Sequence, residues 1–386
     1  MVKKLLVVLA CFGLIASGLT TTAGAGPSAG GYSSDNIEWV THVPFNGPTA
    51  TGANFFKSGG DHFMVVTSWH NFAIYNINDP EAPSLVGQPV PFGFKFENED
   101  VATNGEIMLF SETIPQGNLH VWDIEDKSNP VLLATVAGAG DHTTSCILDC
   151  KWAYGSEGTI TDLRDPAAPK LLKEKWSDGQ PPIGGNHDVT EVAPGIVLTS
   201  TNPMLLLDAR KDPVHPKFLA LTEEYEANGL PFHSNLWPRT MKDRWVLAGG
   251  ETCCGAEQCN ESQAASFMVW DTKGWQKTRT LKLVDQWWAS QGTITDGGGI
   301  ASAPFGCSPH WFTTHPNWKN GGVVAVGWYN SGTRFLEVNS KGKIEEIGWF
   351  LPAAGGTSGA YFINKEIVYA VDYQRGIDVL RFTGKA

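Results

Sequence analysis

The sequence predicts an all-β chain and, within that class, a seven-bladed β-propeller closed by its N-terminal strand pairing into the last blade. Three observations carry this expectation. A strand–turn–strand unit recurs along the chain, the composition is rich in turn formers and tryptophan, and the last unit is one strand short while a spare strand stands near the other end.

The unit is clearest in FAIYNINDPEAPSLVGQ from Phe72, LHVWDIEDKSNPVLLAT from Leu119, GTITDLRDPAAPKLLKE from Gly158 and LLLDARKDPVHPKFLAL from Leu205. Each begins as an alternating apolar strand and enters a polar turn, usually with Asp-Pro. A second proline then starts another apolar strand. Asp side chains cap turns, proline pre-sets φ, and a strand opened by proline suits a sheet edge because proline donates nothing to a ladder. The second prolines, Pro83, Pro130, Pro169 and Pro216, stand 47, 39 and 47 residues apart, the spacing of propeller blades.

Looser copies follow in FMVWDTKGWQKTRTLKL from Phe267, TRFLEVNSKGKIEEIGWF from Thr333 and GIDVLRF from Gly376. The last unit shows three strands, SGAYFIN, EIVYAVDY and GIDVLRF, and IEWVTHVPF from Ile37 to Phe45 is available as its fourth. Joining the two ends removes the exposed seam of an open array. The expected organisation is a secretory signal over 1–25, a linker over 26–36 and one propeller domain over 37–386, with the longest insertion around Gly250 to Ala265.

Composition agrees with a folded chain: 42% hydrophobic, 11% aromatic and 18% charged, with 43 Gly, 23 Pro and 15 Trp among 386 residues. A net charge of -12 argues against nucleic acid or an anionic membrane surface as partner, since either needs a basic face. The N-terminus carries Lys3 and Lys4, an apolar run to about Leu19 and then Ala23-Gly24-Ala25. That is the layout of an export signal and is too short for a membrane span, so the expectation is a secreted, extracellular monomer, with lipoprotein processing at Cys11 as the alternative.

Beyond the signal stand Cys146, Cys150, Cys253, Cys254, Cys259 and Cys307. An even number in an oxidising compartment predicts three disulfides, with many pairings open. The segment CILDC reads as a hairpin tip able to close on itself, leaving the others to tie GETCCGAEQC to the segment entered at Cys307.

At these repeat strands the sequence resembles the LVIVD-repeat family of secreted bacterial proteins, whose name echoes strands such as Leu119 to Asp123. The resemblance covers roughly residues 37 to 382. It implies a propeller and leaves activity open, because propellers host unrelated functions.

Aligning the units also aligns the start of each innermost strand, at Glu99, His142, His187, His233 and His310. Equivalent positions in successive blades project toward one axis, so four imidazoles and a carboxylate are expected to converge. Neutral imidazoles suit a transition metal, with copper or iron favoured and zinc also accommodated. Glu99 is the candidate catalytic base or ligand. Two architectural analogies motivate the metals: carotenoid oxygenases hold iron with four inner-strand histidines of a propeller, and methanethiol oxidases are propellers associated with copper.

Aromatics expected near the same entrance are Trp69, Trp237, Trp287, Trp288, Trp311, Trp328 and Tyr329, with Trp311 the best candidate wall for an apolar ligand. The remaining histidines, His42, His62, His70, His120, His215 and His315, read as surface or packing residues. The expected function is therefore a metal-dependent oxidoreductase acting on a small, partly apolar molecule. The alternative is a non-catalytic propeller that captures an extracellular partner. No phosphate loop, His-Glu-x-x-His helix, nucleophile elbow or EF-hand loop occurs in the chain.

Overall fold

A computed structural model describes residues 31–45, 51–96, 99, 101–225, 230–251, 265–289, 306–352 and 355–386. The proposed signal, and Cys11 with it, lie outside the described residues, as do Cys253, Cys254, Cys259 and most of the segment expected as the longest insertion. Among the described residues no helix is long and apolar enough to cross a membrane.

The chain is all-β. Its strands fall into successive antiparallel runs of four. The first four runs are β3–β6 (Gly52–Ser58, Asp61–Thr67, Asn71–Asn76, Ser84–Pro91), β7–β10 (Ala102–Thr103, Ile107–Ser111, Asn118–Asp123, Val131–Ala137), β11–β14 (Thr144–Ile147, Trp152–Gly155, Ile160–Asp162, Lys170–Leu171) and β15–β18 (Gly184–Ala193, Ile196–Asn202, Leu205–Asp208, Lys217–Thr222). Next come β19–β22 (Leu230–Leu236, Trp245–Glu251, Phe267–Asp271, Thr280–Trp287) and β23–β26 (Pro309–Thr314, Gly322–Trp328, Gly332–Val338, Ile344–Pro352). The last run is β27, β28 and β29 (Thr357–Phe362, Ile367–Asp372, Gly376–Phe382), with β2 (Ile37–Pro44) as its outer strand.

That last pairing is the expected one: β2 runs antiparallel to β29 from Ile37 opposite Phe382 to Pro44 opposite Gly376. One stretch read as linker is a strand instead. Gly31–Ser33 forms β1 on the outer edge of β26, Gly31 opposite Pro352. Three residues are too few for an alternation signal, and only the exposed edge of β26 makes them a strand.

The repeat chemistry acts as read. Pro83, Pro130, Pro169 and Pro216 each immediately precede the outer strand of their run. The turn Asp side chains accept backbone N–H groups two residues on: Asp79 from Glu81 at 3.1 Å, Asp126 from Ser128 at 2.9 Å, Asp165 from Ala167 at 3.2 Å and Asp212 from Val214 at 3.0 Å. The same turns tether the neighbouring run. Tyr369 donates to the Pro80 carbonyl at 2.7 Å, and Tyr154 donates to the Pro213 carbonyl.

Apolar residues fill the spaces between consecutive runs. Phe72, Ile74, Met108 and Phe110 pack between the first and second, and Val197, Leu207, Tyr154 and Ile160 between the third and fourth. Phe45, Met64, Tyr369 and Val379 pack between the last run and the first. The first strands lie side by side in order, β3 by β7, then β11, β15, β19, β23 and β27, and β27 returns to β3. Whatever the starts of these strands carry is thereby brought to one place.

The junction of the two chain ends is fastened by Asp378, which is 1% exposed. It accepts from Trp39 Nε1 at 3.0 Å and from Arg375 Nη2 at 2.9 Å and Nε at 3.0 Å, and contacts His42 Nδ1 at 3.1 Å. The lowered pKa of its carboxyl reflects the outcome of two opposed effects: burial raises it, and the hydrogen bonds from His42 and Arg375 outweigh that. Asp378→Ala leaves the partly buried Arg375 without its partner, a change that approaches the cost of about 3–5 kcal/mol seen when a buried pair is broken. Denaturant unfolding is expected to show a loss of that size, and a loss under about 1 kcal/mol would mean the fastening does not hold β2 in place.

Candidate metal centre

The four predicted histidines meet at Glu99. Its Oε2 lies 3.0 Å from His310 Nε2, 3.4 Å from His233 Nε2, 3.6 Å from His142 Nε2 and 3.9 Å from His187 Nε2. The His142 and His187 Nε2 atoms are 2.5 Å apart. His233 and His310 are fully buried and His187 is 2% exposed.

The backbone explains the aim of these side chains. His187, His233 and His310 each sit where the ladder to the next strand slips register, between Asn186 and Val189, Leu230 and Ser234, and Pro309 and Phe312. A bulge re-aims a side chain out of simple alternation, and such irregularities gather beside functional sites. His142 precedes β11 and is held by its neighbour Asp141, whose Oδ2 accepts from Thr159 Oγ1 at 2.7 Å and Glu157 N at 3.0 Å. Glu99 reaches the cluster because β3 has no side chain at Gly52: a Cβ there would fall 2.0 Å from the Glu99 carbonyl oxygen.

Sequence reasoning missed two members, Glu251 and Tyr373, and named Tyr329 only as an aromatic near the entrance. Glu251, at the end of β20, lies 3.6 Å from His187 Nε2 through Oε2 and accepts from Tyr329 at 2.7 Å through Oε1. Tyr373, following β28, donates to Glu99 Oε1 at 2.8 Å. Two triads have ligand atoms within 4.8 Å of one another: Glu99, His187 and His233, and His233, Glu251 and His310. Glu251, Tyr329 and Tyr373 all sit where the second strand of a run ends. That shared position is the signal that could have found them.

Of the aromatics expected here, Trp311 and Tyr329 contact the imidazoles. Trp311 lies 5.2 Å from the His233 ring, and Tyr329 lies 4.6 Å from that of His310. The others are elsewhere, since strand ends at both faces look alike in sequence. Trp237 packs in a core between runs and donates to the Asp243 carbonyl, Trp287, Trp288 and Trp328 belong to another core, and Trp69 packs edge-on against Phe94 and Phe96.

Burial sets the protonation states. It pushes His142 down to about 3, helped by charge on His310, and holds His187 and His233 well below their usual range. Burial also pushes Glu251 up to about 7, with the nearby Glu99 adding to the rise, and Asp188 up to about 6. Glu99 is the exception. Burial raises it, but the neighbouring His310, 3.0 Å away, and then His187 and the Tyr373 hydroxyl outweigh burial and hold it below its usual value.

One imidazole has its orientation fixed. His310 Nδ1 lies 2.5 Å from the Ser358 carbonyl oxygen, an acceptor only, so Nδ1 carries a proton, and Nε2 faces Glu99 Oε2 at 3.0 Å. The Nδ1 atoms of His187 and His233 are buried with no hydrogen-bond partner among the described residues.

Cys146 and Cys150 form a disulfide within CILDC, as the sequence suggested. Cys307 is disulfide-bonded as well, and its partner lies outside the described residues.

No family model matches the chain, and no curated protein does. Solved structures match along most of its length. The N-terminal domain of Nup159 aligns with a TM-score of 0.54 at 11% identity, covering 93% of this chain and 97% of that one. A functionally unknown protein from Desulfotomaculum acetoxidans aligns at 0.55 and 13%, covering 84% and 92%, and YCF48 from Cyanidioschyzon merolae at 0.55 and 10%, covering 90% and 98%. The fold is of propeller type. At such identities the likeness reaches no further than the fold.

Tyr329→Phe removes the hydroxyl that serves buried Glu251. The expected cost is about 1–2 kcal/mol in urea unfolding, the penalty for an abandoned buried acceptor. A change below about 0.3 kcal/mol would show that Glu251 does not depend on this hydrogen bond.

Proposed function

We propose that the chain is an exported seven-bladed propeller of the LVIVD-repeat kind. In this reading it binds one transition-metal ion through His142, His187, His233 and His310, with Glu99 beside it. The blade count rests on the runs of four strands, the apolar cores between neighbours and the circuit of first strands.

The observation that carries the metal reading is the placement of four imidazole Nε2 atoms within 3.9 Å of one carboxylate oxygen. A single oxygen cannot accept four good N–H bonds. A cation among these atoms relieves that conflict, because metal bonds of about 2.0–2.1 Å draw imidazole lone pairs inward. The neutral state that burial imposes on His142, His187 and His233 is the state that ligates. Imidazole-rich surroundings favour copper or iron, with zinc also accommodated.

The chemistry assigned to the bound ion is oxidation of a small, partly apolar molecule. Around it the protein supplies two carboxylate–phenol pairs, Glu99 with Tyr373 and Glu251 with Tyr329, able to hold or pass protons at Glu99 Oε1 and Glu251 Oε1. Trp311 gives the site an apolar wall.

Reconstituted protein should retain about one equivalent of copper or iron after gel filtration, measured by elemental analysis. His310→Ala should weaken binding at least about tenfold, in line with the cost of disturbing an oriented ligand. Less than about a tenth of an equivalent of copper, iron or zinc on the wild-type chain would end the metal reading and leave a non-catalytic binding propeller in its place.

A further inference from the structure

A cavity of about 500 Å3 shares residues with the surroundings of the imidazoles. Its wall is built from first strands and the turns that follow them. Asp188 and Trp311 line it, each adjacent in sequence to a histidine of the cluster, together with the exposed Asp149 and its neighbour Asn104. Two contacts link this lining to the histidines. Thr143 Oγ1 donates to the His187 carbonyl at 2.5 Å and approaches Asp188 Oδ1 at 3.3 Å, and the Trp311 ring leans on His233.

The lining is one-signed. Asp149, Asp188 and Glu191 contribute carboxylates, and no lysine or arginine lines the cavity among the described residues. Asn235 adds an independent feature. It is 6% exposed and lines the same wall, its Nδ2 donates to Ser200 Oγ at 2.8 Å and Leu198 O at 3.2 Å, and its Oδ1 has no hydrogen-bond partner among the described residues. A buried carbonyl fixed in this way is an acceptor awaiting a donor or a cation.

We propose that this cavity is a binding passage for a hydrated divalent metal cation, through which the ion reaches the histidine cluster from the face that carries Asp149. The inference rests on the metal reading above and adds the route and the groups that attract the ion. Carboxylates of one sign lining a cleft focus field lines and raise the local concentration of cations. Carboxylate, amide carbonyl and hydroxyl groups can replace part of the hydration shell on the way to the softer nitrogen ligands.

Charge on this lining can be altered with little change to the backbone. Asp149 is exposed at φ 61°, a conformation that asparagine accepts readily, and Asp149→Asn keeps an oxygen to accept from Asn104 Nδ2, which lies 3.4 Å from Asp149 Oδ1. Asn104 Oδ1 accepts from Glu106 N and Ile107 N, both at 3.0 Å, so Asn104→Asp keeps these bonds, gives up the two long contacts of Nδ2 to Asp149 and sets a second carboxylate beside it.

The experiment is stopped-flow uptake of Cu2+ by the intact chain, read by quenching of tryptophan fluorescence, with elemental analysis of the product. At low ionic strength Asp149→Asn should slow the second-order uptake about threefold and Asn104→Asp should accelerate it by a similar factor, as expected for one charge acting on a divalent ion within a Debye length. The differences should vanish near 0.5 M salt, and all three proteins should end with the same metal content. Equal rates in the three proteins, or both variants shifting in one direction, would overturn the passage and leave the metal centre standing. A wild-type chain that takes up no Cu2+, iron or zinc would remove the metal centre and the passage together.

Discussion

Glu99 Oε2 is the atom around which the polar interior is organised. A carboxylate removed from water must be compensated, and its compensation here comes from four imidazoles and a phenol. Three of those imidazoles are held neutral by their own burial. Neutral rings solvate an anion only through N–H groups, and one oxygen accepts few of them, so the crowding of four Nε2 atoms around Glu99 Oε2 is the feature on which the metal reading stands.

Most of the fold was legible because the repeat writes its turn chemistry in fixed letters. Asp and Pro recur at set offsets, and the prolines fall at the first residue before each outer strand, where a missing N–H costs nothing. The joining of the chain ends was legible for a related reason: Ile37–Phe45 alternates strongly and the last unit lacked a partner. Gly31–Ser33 was not legible, since its strand character comes from the edge of β26 and not from its own residues.

The candidate site was half legible. The histidines share a residue type at one repeat position, so aligning the units exposes them, but the bulges that turn them inward leave no local letter. Simple alternation would have given each strand one inward set and placed no special emphasis on His187, His233 or His310. Glu251 and Tyr373 share a position without sharing a residue type, so no alignment of like residues could gather them. The tryptophans erred the other way. They share a type without sharing a position, and most of them fill cores between neighbouring runs.

Inheritance from one ancestral blade explains why His recurs, but it does not explain the arc that lacks it. Where the histidine position would fall in the last run stands Ser358, and where it would fall in the first stands the Thr51–Gly52 segment. Neither is inert. Ser358 fixes His310 through its carbonyl, its hydroxyl donates to the Thr51 carbonyl, and Gly52 leaves the space into which the Glu99 backbone fits. Blades that merely kept a copied residue would not need their neighbours to diverge in ways that orient it. One arc presents imidazoles while the other positions one of them and the carboxylate, and mere duplication does not produce such a division of labour.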